Sequence, residues 1–160
     1  MQQRFLGQVK TPVAALGYGA MSFSDFYGAT DDAKSFAILD RCQELGITHI
    51  DTSNVYGLGR SESRIGAYLA KQGKQAQDFF TIATKAGIAS TSDGKRYFDN
   101  SLQHLEAELD KSLQRLGVDQ VELLYVHRRD AKVPIEEVAE SLATLVKKGK
   151  TRQIGFSEIA

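Results

Sequence analysis

The sequence predicts an α/β fold built on a parallel sheet, and three observations carry that prediction. Amphipathic helical segments alternate with short apolar runs along the 160 residues. The runs are apolar on consecutive residues, as in strands covered on both faces. Polar residues of chemically useful types then stand at the ends of three successive runs: Asp51, Lys85 and His127.

The elements follow in order. Residues 4–13, RFLGQVKTPV, read as a small hairpin turning at Gly7, and residues 14–16 as the first sheet strand. Thr30 or Asp31 can cap a helix that carries Phe36, Leu39 and Leu45 and closes at Gly46. Residues 47–50 form the second strand. Ser61 can cap a second helix with Ile65 and Leu69, closing near Gly73, and residues 80–84 form the third strand. Asp99 or Asn100 caps the clearest helix. Its Leu102, Leu105, Leu109, Leu113 and Leu116 follow helical spacing, and Gly117 ends it. Residues 121–126 are the fourth strand. Pro134 suits the first turn of a fourth helix with Ile135, Val138, Leu142, Leu145 and Val146, ending at Gly149. Residues 153–156 are the fifth strand. Glycine suits these helix ends because the position after a helix often needs a left-handed backbone.

Two architectures compete. A doubly wound sheet wants a Gly-rich loop after its first strand, but Gly17-Tyr18-Gly19 is not completed as GxGxxG, since position 22 is Ser. A (β/α)8 TIM barrel places its catalytic residues at the C-terminal ends of several strands. Asp51, Lys85 and His127 favour the barrel, here cut to about five strands and four helices after a short N-terminal β-hairpin. Residues 1–160 read as one partial barrel domain.

Composition narrows the function. Hydrophobic residues make up 42%, charged residues 25%, and the formal net charge is zero. No clustered basic field offers a surface to nucleic acid or an anionic membrane. The densest basic group, Lys147, Lys148, Lys150 and Arg152, sits at a helix end, where cations are favoured anyway. The single Cys42 excludes an internal disulfide and a thiolate metal site. No apolar run approaches ~20 residues, and the first residues lack the apolar core of a signal peptide. The expected compartment is the cytoplasm.

Taken singly, the candidate residues have bland readings. Asp51 can simply end a strand, Tyr56 can be a half-buried turn residue, and His127 a satisfied core histidine. His49 reads as structural, His104 as solvent-facing and Cys42 as packed on its helix. Lys85 is odder, because a lysine continuing an apolar strand must pair or reach water. Together they fit one mechanism. A phenol is a poor acid near neutral pH, and a nearby ammonium lowers its pKa by roughly 1–3 units. Lys85 can be that ammonium for Tyr56, Asp51 can keep Lys85 charged, and His127 can hold a carbonyl oxygen. Such a site protonates an oxyanion as it forms, and it needs no metal and no nucleophile.

Five stretches resemble the aldo-keto reductase family across nearly the whole chain: LGYGAM (16–21), GITHIDTSNVYGLGRSE (46–62), TIATKAG (81–87), LLYVHRRD (123–130) and LVKKGKTRQIGFSE (145–158). The His-Arg pair before an aspartate is similar to a bacterial, fungal and plant branch. The resemblance implies a (β/α)8 barrel, bound NADPH and reversible reduction of aldehydes and ketones to alcohols. It puts the catalytic tetrad on Asp51, Tyr56, Lys85 and His127, with Tyr56 as proton donor. It puts cofactor contacts on Gly19, Ala20 and Met21, on Asp51, and on Ser157 and Glu158 after the fifth strand. Glu158 is a mild departure from the Ser-Asn of many members, because a carboxylate only accepts hydrogen bonds.

Strands six to eight, with the loops that bind the rest of the cofactor, are expected to be missing. Five strands would leave open edges, so the expected partners are another copy or a complementary half, besides a small carbonyl substrate. The alternatives to a working reductase are a truncated, inactive remnant and a nucleotide-sensing binding module. The loop over residues 89–98 offers Tyr97 or Phe98 as one wall of a substrate site, or as an apolar staple on the next helix.

Overall fold

A computed structural model describes residues 1–91 and 93–158. It opens with an antiparallel hairpin, β1 (Gln3–Leu6) and β2 (Thr11–Ala14), which turns through Gly7. Five strands then form one parallel sheet in sequential order. They are β3 (Gly17–Gly19), β4 (His49–Asp51), β5 (Thr81–Ala86), β8 (Val121–His127) and β9 (Thr151–Ser157). The helices between them are α1 (Asp32–Leu45), α2 (Arg60–Gln72), α4 (Leu102–Leu116) and α5 (Ile135–Lys147). That is the strand–helix alternation of a barrel wall.

The sequence-level prediction missed three small elements. A 3-10 turn, Ala20–Ser24, follows β3. A short helix, α3 (Lys74–Phe79), follows α2 after Gly73. An antiparallel hairpin, β6 (Ile88–Ser90) and β7 (Arg96–Phe98), occupies the segment read as a loop.

The first strand lies three residues later than predicted. Val13 and Ala14 are buried in the hairpin, whereas Leu16 is 60% exposed. The glycines serve the strand itself: a Cβ on Gly17 would sit 3.2 Å from the His49 ring. Two caps also differ. Gly59, not Ser61, precedes α2, and Ser61 donates instead to the Ala20 carbonyl at 2.8 Å. Ser101, not Asp99 or Asn100, caps α4 by accepting from the His104 amide. Asp31 caps α1, and α5 stops at Lys148, one residue before Gly149 turns left-handed.

The core lies between the sheet and its helices. Ile50, Ile82, Leu124 and Val126 pack there against Leu39, Ile65, Leu109 and Leu142. The stripe on α4 behaves as its spacing predicts: Leu105, Leu109 and Leu116 are fully buried, with Leu102 and Leu113 at its margin. Cys42 is buried on α1. The His104 side chain is only 18% exposed rather than solvent-facing, because α4 turns it back towards Asp99. No described helix is long and apolar enough to cross a membrane.

Candidate active site

Parallel pairing aligns the strand ends. Asp51 closes β4, Lys85 is the last but one residue of β5, and His127 closes β8. Alternation then turns all three towards the face away from the core. The loop after β4 brings back Tyr56. Its turn depends on Gly57 (φ 60°), where a Cβ would lie 2.9 Å from the Ser24 side chain.

Lys85 organises the group. It is 7% exposed, so its ammonium must be satisfied by protein. Nζ pairs with the Asp51 carboxylate, donates to the Thr52 carbonyl at 2.9 Å, and reaches the Tyr56 hydroxyl at 3.4 Å. An ammonium has three protons, and here each has an oxygen. Tyr56 receives from Lys85, so its own proton is free to point elsewhere. Nζ also lies 5.1 Å from the centre of the Tyr56 ring.

His127 stands at right angles to Tyr56, with ring centroids 6.2 Å apart. Its Nδ1 is 3.1 Å from Ser53 Oγ, and Ser53 is fully buried. Nε2 is therefore the ring nitrogen left for a ligand. Burial, reinforced by the charges of Lys85 and Arg128, pushes the His127 pKa down to about 4. The imidazole is neutral at neutral pH. Burial lowers the His49 pKa as well, in keeping with its place inside the sheet.

Tyr56, Lys85 and His127 line a cleft of about 570 Å3, with Met21, Phe98 and Ser157 among its other walls. Glu158 reaches the rim and is ion-paired with Arg128. Ala20 is fully buried, its carbonyl is taken by Ser61, and it does not line the cleft. Gly19 faces open space, where a Cβ would meet nothing. Tyr97 lines a separate groove beside α4, so of the aromatic pair only Phe98 belongs to the cleft.

Reading the sequence missed Ser53, Asn100, Arg96 and Arg128. Ser53 lies between two named residues in the loop and carries no signal of its own. Asn100 was read as a helix cap. It is 1% exposed, donates to the Arg128 carbonyl at 3.2 Å and accepts from the Asp130 amide at 2.7 Å. It holds the loop after His127. The hairpin carrying Arg96 was signalled by Asp93-Gly94, a common hairpin turn pair.

Comparison with known proteins agrees with the fold. The model of the Aldo/keto reductase family matches residues 15–160. The chain is 37% identical to an aldo-keto reductase designated NADP(+) from Schizosaccharomyces pombe, over 91% of this chain and 43% of that protein. It is 35% identical to L-glyceraldehyde 3-phosphate reductase from Escherichia coli, over 98% of this chain and 45% of that one. Among solved structures, the holo form of an aldo-keto reductase from Bacillus halodurans superposes with a TM-score of 0.84 at 32% identity, covering 98% of this chain and 50% of that one. A glycerol dehydrogenase from Gluconobacter oxydans gives 0.85 at 28% identity, covering 99% and 49%. The chain spans about half the length of the curated relatives it matches.

Proposed function

The chain belongs to the aldo/keto reductase family, and from that premise we propose that its cleft serves NADPH-dependent reduction of aldehydes and ketones to alcohols, with Tyr56 as the proton donor. The observation that carries this reading is the saturated ammonium of Lys85. With its three protons directed at Asp51, Thr52 and Tyr56, it leaves the phenol proton as the one available to the cleft.

The residues present fit a nicotinamide cofactor. Gly19 leaves room for a close approach, and Met21 and Ser157 line the cleft. Gly19, Ala20 and Met21, with Asp51, Ser157 and Glu158, are the residues proposed to hold it. Ser157 is the better partner for a carboxamide, because Glu158 only accepts and is already paired with Arg128. When bound, NADPH supplies the hydride.

The chain's own residues handle the oxygen. Tyr56 donates its proton to the carbonyl oxygen as negative charge develops there, and the Lys85 ammonium stabilises the charge left on the phenol. Asp51 keeps Lys85 oriented and balances its charge. With its proton on Nε2, His127 leaves Nδ1 to accept from Ser53 Oγ at 3.1 Å, the tautomer proposed here. A neutral Nε2–H can then donate to the same carbonyl oxygen and fix its position.

The proposed setting is a reducing cytoplasm, consistent with the lone buried Cys42. The outer edges of β3 and β9 have no strand partner among the described residues. A second copy or a complementary segment is proposed to cover them. The test of function is NADPH oxidation with an aromatic aldehyde, run beside Tyr56→Phe. Turnover that the substitution abolishes is expected; equal turnover in both proteins would remove Tyr56 from the role.

A further inference from the structure

The proposed reaction needs a neutral carbonyl, yet the mouth of the cleft carries more positive charge than that chemistry uses. Three cations line the cleft: Lys85, Arg96 and Arg128. Lys85 is paired with Asp51, and Arg128 with Glu158. Arg96 forms no ion pair among the described residues, although the whole chain is neutral. The cleft therefore holds one unbalanced positive charge, and it belongs to Arg96.

The hairpin says where that charge lies. β6 starts one residue after β5, so it extends outward from Lys85. Its first pair is Ile88 with Phe98, and the pair two residues further out is Ser90 with Arg96. Residues two apart on a strand share a face. Phe98 and Arg96 both line the cleft, whereas Tyr97 lines the groove beside α4. From the reacting group outward, the wall is thus Lys85 and Tyr56, then an apolar rung, then the rung that carries Arg96, its backbone about 7 Å further along the strand.

Arg128 faces the same mouth on a backbone that arginine rarely adopts, with φ at 76°. It is held there by its amide donating to the Ser157 carbonyl at 3.1 Å and by buried Asn100 on its own carbonyl. A bulky residue kept left-handed by a buried partner is a mark of a functional site. Its charge also contributes to the depressed pKa of His127, so its field reaches the reacting group.

We propose that Arg96, assisted by Arg128, forms an anion subsite at the mouth of the cleft for the carboxylate or phosphate of an acidic aldehyde or ketone. The substrate's carbonyl lies at Tyr56 and His127, its apolar middle against Ile88 and Phe98, and its anionic end on Arg96. An incoming anion competes with Glu158 for Arg128, so Arg96 supplies most of the selectivity. This inference rests on the carbonyl-reduction reading above.

The test compares 4-carboxybenzaldehyde with its methyl ester, which has a similar shape and no charge. The readout is the acid-to-ester ratio of kcat/KM, in which the reactivity of each aldehyde cancels between variants. Arg96→Gln is expected to lower that ratio about tenfold, as loss of a charge-assisted hydrogen bond does. Arg96→Lys recovers part of it, and Arg128→Gln lowers it less. Added salt lowers the wild-type ratio, because the site is open to solvent. An unmoved ratio with weakened NADPH binding would assign the guanidinium to a cofactor phosphate and overturn the proposal. If neither aldehyde turns over, calorimetric titration of both into the folded chain decides. Tighter binding of the acid, lost in Arg96→Gln, upholds the subsite while the reductase reading fails. Equal binding, or none, overturns the subsite.

Discussion

Thr84 and Lys85 are neighbours on β5, and their side chains leave opposite faces of the sheet. Each meets a carboxylate. Behind the sheet, Thr84 donates to Glu62 at 2.5 Å, and Arg115 completes the group with an Nε bond to Glu62 at 2.7 Å. Glu62 is fully buried, and Arg115 also donates to Ser112. In front, Lys85 pairs with Asp51 and passes its remaining donors to Thr52 and Tyr56. Both clusters combine a carboxylate, a cation and a hydroxyl. The rear one is closed, and it ties α2 and α4 to the sheet. The front one opens on a cleft, where Tyr56 keeps a proton with no partner inside the group. The two groups therefore differ in one hydrogen-bond donor, the Tyr56 hydroxyl, left facing the cleft without a partner, since the ingredients are the same.

Substituting the two cations or carboxylates tests that contrast most severely. Lys85→Met is expected to cut kcat by about 10² to 10⁴, the scale of lost acid–base catalysis, with a thermal midpoint close to wild type. Asp51 is one-third exposed and can take up water when its partner goes. A collapse of the fold equal to the loss of activity would show that the front cluster is structural too.

Glu62→Ala should do the reverse. It strands Arg115 and Thr84 behind the sheet, and breaking a buried pair costs about 3–5 kcal/mol. Chemical denaturation should show that loss directly. Residual activity per folded molecule should stay near wild type, because Glu62 and Lys85 face opposite sides of the sheet. A fall in activity per folded molecule like that of Lys85→Met would mean the two faces are coupled through β5.

The front cluster was legible in the sequence because its residues, bland one by one apart from Lys85, fit a single mechanism together. A lysine continuing an apolar strand is an anomaly visible without coordinates, and it gives the aspartate at the neighbouring strand tip a purpose. The rear cluster was not legible. Glu62 looks like an ordinary acidic residue in the first turn of a helix, and Arg115 like a cation in a last turn, both places where such charges are common. Only tertiary packing shows that they meet. The same holds within the site. Ser53 and Asn100 are small polar residues whose roles depend on partners 74 and 28 residues away. The helix rhythm of α4 was plain from its leucines, but its cap was assigned to residues that the His127 loop and the turn itself engage. β3 runs through Gly17 and Gly19, a residue type that sequence reasoning assigns to turns; Gly17 lets the His49 ring pack close.

Acidity offers a milder contrast. The His127 pKa is depressed from about 6.5 in the unfolded chain to about 4 in the fold, chiefly by burial. Between these values the unfolded chain takes up a proton that the folded one refuses, so stability is full above about pH 6.5 and falls as pH drops towards 4. His49 acts in the same direction. Lowering the pH from 7 to 5 should remove about 1–2 kcal/mol through His127, read as a shift in the urea midpoint. His127→Gln should lose less over the same interval. The rear cluster contributes no histidine, so Glu62 variants should keep the full wild-type pH slope.

Ser53→Ala gives the smallest expected effect and the finest discrimination. The hydroxyl makes one neutral hydrogen bond to His127, worth about 0.5–1.5 kcal/mol. Its loss should therefore lower kcat/KM by no more than about tenfold. Activity alone cannot separate that from a small packing defect, since Ser53 is fully buried and alanine leaves a gap. The tautomer can. With Ser53 donating to Nδ1, nitrogen NMR of the wild-type ring should find the proton on Nε2. In Ser53→Ala, Nδ1 has lost its donor, and the ring should populate both tautomers. A ring that stays on Nε2 in the variant would mean that the neighbouring charges of Lys85, Arg128 and Glu158 set the tautomer. Ser53 would then belong with Thr84, among hydroxyls that serve the fold.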